Sequence, residues 1–124
     1  MKLIKILFFI INILLIIFYI YPGSIFGCFL YSDCSIQPQL TKDFIISSNH
    51  FYVFLVISLY GFQIFIQNYK NLITLYLSSL SLILELSHLI IPNRSFQFSD
   101  MFGNIAGVIV SFIIIKLINY WRKK

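Results

Sequence analysis

Apolar residues fill four long runs along the chain, and short polar stretches separate the runs. The runs cover about residues 3–20, 49–67, 72–91 and 100–120. Each has close to the ~20 residues that a helix needs to cross about 30 Å of hydrocarbon. The pattern predicts an all-α membrane protein, a bundle of about four transmembrane helices that forms a single transmembrane domain over residues 1–124.

Composition and charge agree with this prediction. Of the 124 residues, 60% are hydrophobic and 10% are charged, which leaves little chain for a separate domain in water. The net charge is +5, but the basic residues lie mainly at the ends of the runs, so nucleic acid is not an expected partner. Their distribution predicts a multi-pass protein with both termini and the tight polar turn at 68–71 in the cytoplasm, and with an outer loop at 21–48.

The two cysteines, Cys28 and Cys34, stand six apart in this outer loop. If that side of the membrane is oxidising, a disulfide between them is favoured. The alternative is a pair of free thiols in a reducing cytoplasm, with the topology inverted. No C-x-x-C motif of a redox or zinc site is present.

Polar residues in the third run recur at spacings of 3, 4, 3, 4 and 3, which is one stripe of a helix. They are Asn71, Thr74, Ser78, Ser81, Glu85 and His88. Such a stripe must face other helices or a cavity, since lipid offers no hydrogen-bond partner. For the first four residues, close helix packing is the favoured interpretation. Glu85, the one glutamate of the chain, is a candidate functional residue, with a structural ion pair as the alternative.

Further polar residues are expected at the same depth. The predicted ligand-binding cluster comprises His50, Glu85, His88, Arg94, Asp100 and Asn104. Gly103 and Gly107 form a small-x-x-x-small pair for helix packing, and Ser111 continues that face.

This cluster contains candidate partners for two kinds of ligand, a metal ion and an anion. Glu85-x-x-His88 could supply two metal ligands, but only one such motif is present and Arg94 beside a cation is unfavourable, so no metal and no cofactor are predicted. An anion fits better, because Arg94, a protonated histidine and the amides opening the fourth helix all favour a phosphate or carboxylate.

These residues resemble the signature of the VanZ-like membrane proteins, which in outline is E-x-x-Q, P-x-R, D-x3-N-x2-G-x3-G. Here the chain reads Glu85-x-x-His88, Pro92-x-Arg94, x5, Asp100, x3, Asn104, x2, Gly107. The segment Asn49-His50-Phe51-Tyr52 is similar to the family's D-K-x-x-H-F element. His88 stands where the family usually has Gln, and Ile46-Ser47 replaces Asp-Lys.

The resemblance implies a multi-pass protein of the bacterial cell envelope, in the inner (cytoplasmic) membrane. The family's founding member is linked to teicoplanin resistance, so a role of this chain in antibiotic resistance is implied by analogy alone.

Three hypotheses follow. The leading one is an outward-facing pocket that binds an anionic membrane lipid or a lipid-linked envelope precursor, with Arg94 binding the anion. The second is an enzyme acting on such a lipid, with Glu85 or His50 as general base. The third is an assembly protein in which the Glu85–Arg94 and Asp100–Asn104 pairs lock helices together. The sequence leaves open whether catalysis occurs and whether the chain forms a homo-oligomer.

Overall fold

The computed structural model describes residues 2–124, and every regular element within them is a helix. The chain runs through α1 (Lys2–Ile20), α2 (Ile25–Tyr31), α3 (Ser48–Ser87) and α4 (Phe98–Trp121). By length and composition, α1, α3 and α4 could each cross a membrane. The all-α prediction is confirmed, and the three apolar helices are compatible with a membrane protein.

The 40-residue helix α3 does not run straight. Tyr69 leaves the helical conformation, with φ −134° and ψ 38°. His50 Nδ1 and Glu85 Oε2 approach to 3.8 Å, although 35 residues of straight helix would separate them by about 50 Å. α3 therefore folds back at Tyr69 into two antiparallel arms, residues 48–68 and 70–87. The polar turn predicted at 68–71 contains this reversal, but helix continues up to Tyr69 on both sides.

Other boundaries differ from the sequence prediction. The third run was predicted to stay helical to Ile91, yet α3 ends at Ser87. α4 begins at Phe98, two residues earlier than predicted, because the backbone is extended only up to Gln97 (φ −133°, ψ 130°). The loop at 21–48 contains the short helix α2, which the sequence analysis did not predict. Ser24 caps α2 by accepting a hydrogen bond from the Gly27 N–H at 3.0 Å.

α4 packs most closely against the first arm of α3, because two glycines let the backbones approach. A Cβ on Gly103 would lie 2.7 Å from Ser47 O, and one on Gly107 would lie 2.7 Å from both Leu55 N and Phe51 O. One turn further, the Ser111 hydroxyl is 2.8 Å from Leu55 O and 2.7 Å from its own helix's Gly107 O. This face of α4 is the one that the sequence analysis assigned to helix packing.

α1 contributes one buried stripe to the bundle. Its buried residues recur at spacings of 4, 3 and 4, and they are Phe8, Asn12, Leu15 and Tyr19. The remaining faces of α1 expose apolar side chains such as Leu3, Phe9 and Ile13. An apolar surface outside a polar stripe is what a lipid-facing helix requires.

Candidate functional site

The buried side chain of Asn104 on α4 connects three helices. Its amide nitrogen donates to Ser81 O in the second arm of α3 at 3.1 Å. Its oxygen accepts the hydroxyl hydrogen of Tyr19, from α1, at 2.7 Å. That oxygen also lies 3.1 Å from Nδ1 of His50 in the first arm of α3. Asn104 is fully buried, so these partners replace water for both ends of the amide.

Glu85 lies beside this network and is completely buried. Its Oε1 accepts the Gln97 backbone N–H at 3.1 Å and lies 3.3 Å from His88 Nδ1. Its Oε2 lies 3.8 Å from His50 Nδ1, but makes no hydrogen bond within residues 2–124. The carboxylate is therefore half satisfied, which is rare for a buried charged group.

The two histidines take their partners from different helices. His88 Nε2 lies 3.2 Å from the Tyr19 carbonyl oxygen, and its ring stacks on the Tyr19 ring at 5.5 Å between centroids. His50 Nε2 lies 3.4 Å from Asp100 Oδ2 at the start of α4. His88 thus has one nitrogen near a carboxylate and His50 has both, and Tyr19 contacts both rings.

Arg94 binds α1 and forms no ion pair with Glu85. Its Nε donates to Tyr21 O at 3.1 Å and its Nη2 donates to Phe18 O at 2.9 Å. A guanidinium at the carboxyl end of a helix interacts favourably with the helix dipole. The Glu85–Arg94 lock considered from sequence is not formed in the described residues. Partial burial lowers the pKa of Arg94, and the nearby carboxylates of Glu85 and Asp100 oppose this shift.

Two cavities of different character meet at Arg94 and His88. The polar cavity has a volume of about 440 Å³, and its lining includes Asp33, Ser35 and Asp100. The apolar cavity has a volume of about 450 Å³, and its lining includes mainly apolar side chains such as Leu15, Phe18, Phe26 and Val53. Ser24 and Gln37 also line both cavities.

The outer loop covers one side of the polar cavity and contains the Cys28–Cys34 disulfide, the pair favoured from sequence. Next to it, Asp33 accepts hydrogen bonds from the Ser35 hydroxyl at 2.6 Å and the Ser35 N–H at 2.8 Å. These bonds lower the pKa of the Asp33 carboxyl. Asp33 therefore stays ionised at the edge of the cavity at neutral pH.

The structure brings five of the six predicted cluster residues into one network: His50, Glu85, His88, Asp100 and Asn104. Arg94 stands at its edge. Sequence reasoning missed Tyr19, although a signal was present, because Asn12 and Tyr19 are the two hydrogen-bonding side chains deep in the first run and stand two helical turns apart.

No protein-family model, no curated protein and no solved structure matches this chain. The site must therefore be interpreted from its own geometry.

Proposed function

We propose that this chain is a VanZ-like integral protein of the bacterial inner membrane that binds an amphiphile with an anionic headgroup. Phospholipids and lipid-linked cell-wall precursors are amphiphiles of this kind. The observation that carries the proposal is the meeting of a polar and an apolar cavity at Arg94 and His88. An amphiphile needs such a pair, one cavity for its head and one for its chain.

The proposal includes four membrane crossings, with both termini in the cytoplasm. Each arm of α3 then crosses the membrane separately, and the reversal at Tyr69 supports this arrangement. Lys70, beside the reversal, and the basic carboxyl terminus then lie on the cytoplasmic side. The disulfide supports an oxidising outer side for the loop at 21–47.

The headgroup would bind in the polar cavity. The Nε and Nη2 of Arg94 donate hydrogen bonds to carbonyl oxygens at the end of α1. Its Nη1 has no partner in the described chain and is free to donate to an anionic oxygen. Gln97, at the start of α4, also lines this cavity, and α4 begins without a side-chain cap. The positive end of the α4 dipole lies beside the cavity and favours an anionic group there.

The hydrocarbon chain would bind in the apolar cavity, between α1 and the first arm of α3. Leu15 and Val53 line this cavity from the two helices, and Phe26 of α2 lines it from the outer loop. Burial of a chain against such side chains supplies about 0.8 kcal/mol for each CH₂ group.

Native mass spectrometry of the detergent-purified protein tests the proposal. We expect wild type to retain an amphiphile with a phosphate headgroup, and Arg94→Gln to lose it because the cationic partner is gone. Arg122→Gln, the same substitution at the exposed carboxyl end, is the matched control and should retain the lipid. The mass identifies the amphiphile as a phospholipid or an isoprenoid phosphate.

Since Arg94 also caps α1, a second variant separates binding from stability. Val53→Trp fills the apolar cavity while Arg94 itself is unchanged, and should reduce the bound amphiphile while the protein stays monodisperse. An unchanged lipid signal in both variants, or no lipid in wild type, contradicts the proposal.

The assembly hypothesis has one specific observation in its favour, the network that joins α1, both arms of α3 and α4 through Asn104. It predicts that Glu85→Gln and Arg94→Gln lower thermal stability while no lipid is found in any sample.

A further inference from the structure

Three side chains that ligate metals converge between α3 and α4. One ligand atom each of His50, Glu85 and Asp100 lies within 4.8 Å of the others. Zinc bonds to nitrogen and oxygen are about 2.0–2.2 Å long, so two ligands of one tetrahedral ion lie about 3.4 Å apart. The separation of His50 Nε2 and Asp100 Oδ2 is 3.4 Å. We infer that His50, Glu85 and Asp100 bind a divalent first-row transition-metal ion.

The hydrogen bonds around His50 leave the required nitrogen free. The Asn104 amide nitrogen donates to Ser81 O, which fixes the amide so that its oxygen faces His50. That oxygen only accepts, so Nδ1 of His50 carries the hydrogen. In the neutral ring, Nε2 then has a lone pair, and it points at the Asp100 carboxylate. A cation between these two atoms turns a repulsion into two bonds.

The same contacts orient His50 as a metal ligand. Metal-binding histidines almost always donate their other ring N–H to a nearby acceptor, which fixes the tautomer and the ring. His50 Nδ1 lies 2.9 Å from the Tyr19 oxygen and 3.1 Å from the Asn104 oxygen. Because Tyr19 gives its own hydrogen to Asn104, both atoms can accept from His50.

Glu85 supplies an independent sign that a ligand belongs here. Gln97 N–H and His88 occupy Oε1, whereas Oε2 lies 3.8 Å from His50 Nδ1, beyond hydrogen-bond distance, and makes no hydrogen bond to any described residue. Glu85 is 0% exposed, so water does not compensate this oxygen from outside. A bound cation would compensate the charge of this oxygen.

From the sequence no metal is predicted, because only one Glu-x-x-His motif is present and Arg94 is expected beside the cation. The hydrogen bonds of Arg94 instead go to the carbonyl oxygens of Phe18 and Tyr21. The guanidinium is thus engaged with the end of α1, and the three ligand atoms make no hydrogen bond to it.

The donor set indicates which ions would bind. One imidazole and two carboxylates suit Zn²⁺, Mn²⁺ or Fe²⁺ better than they suit Ca²⁺, which prefers six to eight oxygens. Three protein ligands leave a coordination position open. Asp100 lines the polar cavity and His50 lines the apolar cavity, so an oxygen of a molecule held there could occupy that position. The cation site rests on its own contacts, whether or not an amphiphile binds.

Metal analysis of the full chain, purified through a tag without histidine, tests the inference. The protein is stripped with EDTA, loaded with Zn²⁺ or Mn²⁺ in separate samples and desalted, and its metal content is measured by inductively coupled plasma mass spectrometry. We expect about one ion per chain in wild type, since the cluster forms one site. Loading should also raise the thermal midpoint of wild type, because the ion binds the folded state.

Asp100→Asn is the informative variant, because Asp100 is partly exposed and the amide has nearly the same shape. We expect it to bind Zn²⁺ about tenfold more weakly or worse. Asp33→Asn makes the same change on a carboxylate that lines the polar cavity outside the cluster, and should bind like wild type.

Two results would overturn the site: wild type that retains neither ion, or Asp100→Asn that binds as tightly as Asp33→Asn. Wild type does not depend on the folding of any variant, so the first result is decisive alone. Metal bound to lipid-free protein, with no amphiphile found by mass spectrometry, keeps the cation site and rejects only the proposed function.

Discussion

At the scale of single residues, Asn104 organises the interior because an amide both donates and accepts. Its two ends are bonded to different helices, and it is fully buried. A leucine of similar size would remove the acceptor of the Tyr19 hydroxyl hydrogen and the Asn104 donor to the Ser81 carbonyl, and the loss of a partner for a buried polar group costs about 1–3 kcal/mol.

Asn104→Ala is expected to lower the stability of the folded protein by about 1–3 kcal/mol, because buried polar groups lose their partner. Asn71→Ala is the control on an exposed residue of α3, and should change stability by less than about 0.5 kcal/mol. Denaturant titration in detergent measures both. Equal effects would show that the network around Asn104 adds no stability.

At the scale of helices, the contact between α4 and the first arm of α3 is close because two glycines on α4 have no side chain. Gly103 and Gly107 lie one helical turn apart and place the α4 backbone against residues 47–55. Transmembrane helices associate chiefly through such close packing, since lipid is as apolar as their side chains.

Gly107→Ala is expected to destabilise the protein by about 1–3 kcal/mol, because its Cβ would meet backbone atoms of Phe51 and Leu55 at 2.7 Å and a helix must move. Gly61→Ala is the matched control. Its Cβ would approach the end of the Phe8 ring at 2.8 Å, and a side chain can shift where a backbone cannot. If the thermal midpoint of Gly61→Ala falls as far as that of Gly107→Ala, the clash with the backbone does not explain the destabilisation.

The apolar runs and their breaks predicted most of the helices. α1 was expected at 3–20 and spans Lys2–Ile20, and the turn at 68–71 contains the non-helical Tyr69. The short α2 could not be predicted, because seven residues in a loop do not establish a helical period. The early end of α3 also carried no signal, since Leu89, Ile90 and Ile91 continue the apolar run beyond the last helical residue.

The sequence placed the candidate site correctly where spacing within one helix decides it. Glu85 and His88 share a face at three residues, and Asp100 and Asn104 share one at four. Which helices meet around them depends on packing between distant segments, which spacing does not encode. Tyr19 was therefore missed, and the alternative of a Glu85–Arg94 pair is not formed, because Arg94 donates to the carbonyl oxygens of Phe18 and Tyr21.

At the scale of the whole molecule, the two ends of the bundle differ, because one carries a group of basic residues and the other carries the disulfide. Lys70 lies beside the reversal of α3, and the chain closes with Arg122, Lys123 and Lys124. The disulfide and the polar cavity belong to the other end, near the start of α4. In the proposed topology, which follows the positive-inside rule, the first end is the cytoplasmic one.

Lys70→Cys is expected to react with a membrane-impermeant maleimide only after the cells are permeabilised, because the proposed topology places its turn in the cytoplasm. Gln39→Cys, in the outer loop, should react in intact cells. Both positions are exposed in the fold, so burial does not explain a difference. Wild type, whose cysteines are joined, is the unlabelled control. Labelling of Lys70→Cys in intact cells contradicts the proposed topology.

The wide separation of Tyr19 from its partners has a consequence for biosynthesis. α1 is synthesised before α4, and Asn104, which accepts the Tyr19 hydroxyl hydrogen, follows Tyr19 by 85 residues. In a nascent membrane protein, that hydroxyl would lack this acceptor until α4 has been made. Asn12 of α1 instead donates within its own helix to Phe8 O at 2.7 Å. The network around Asn104 can therefore form only after α4 has been synthesised.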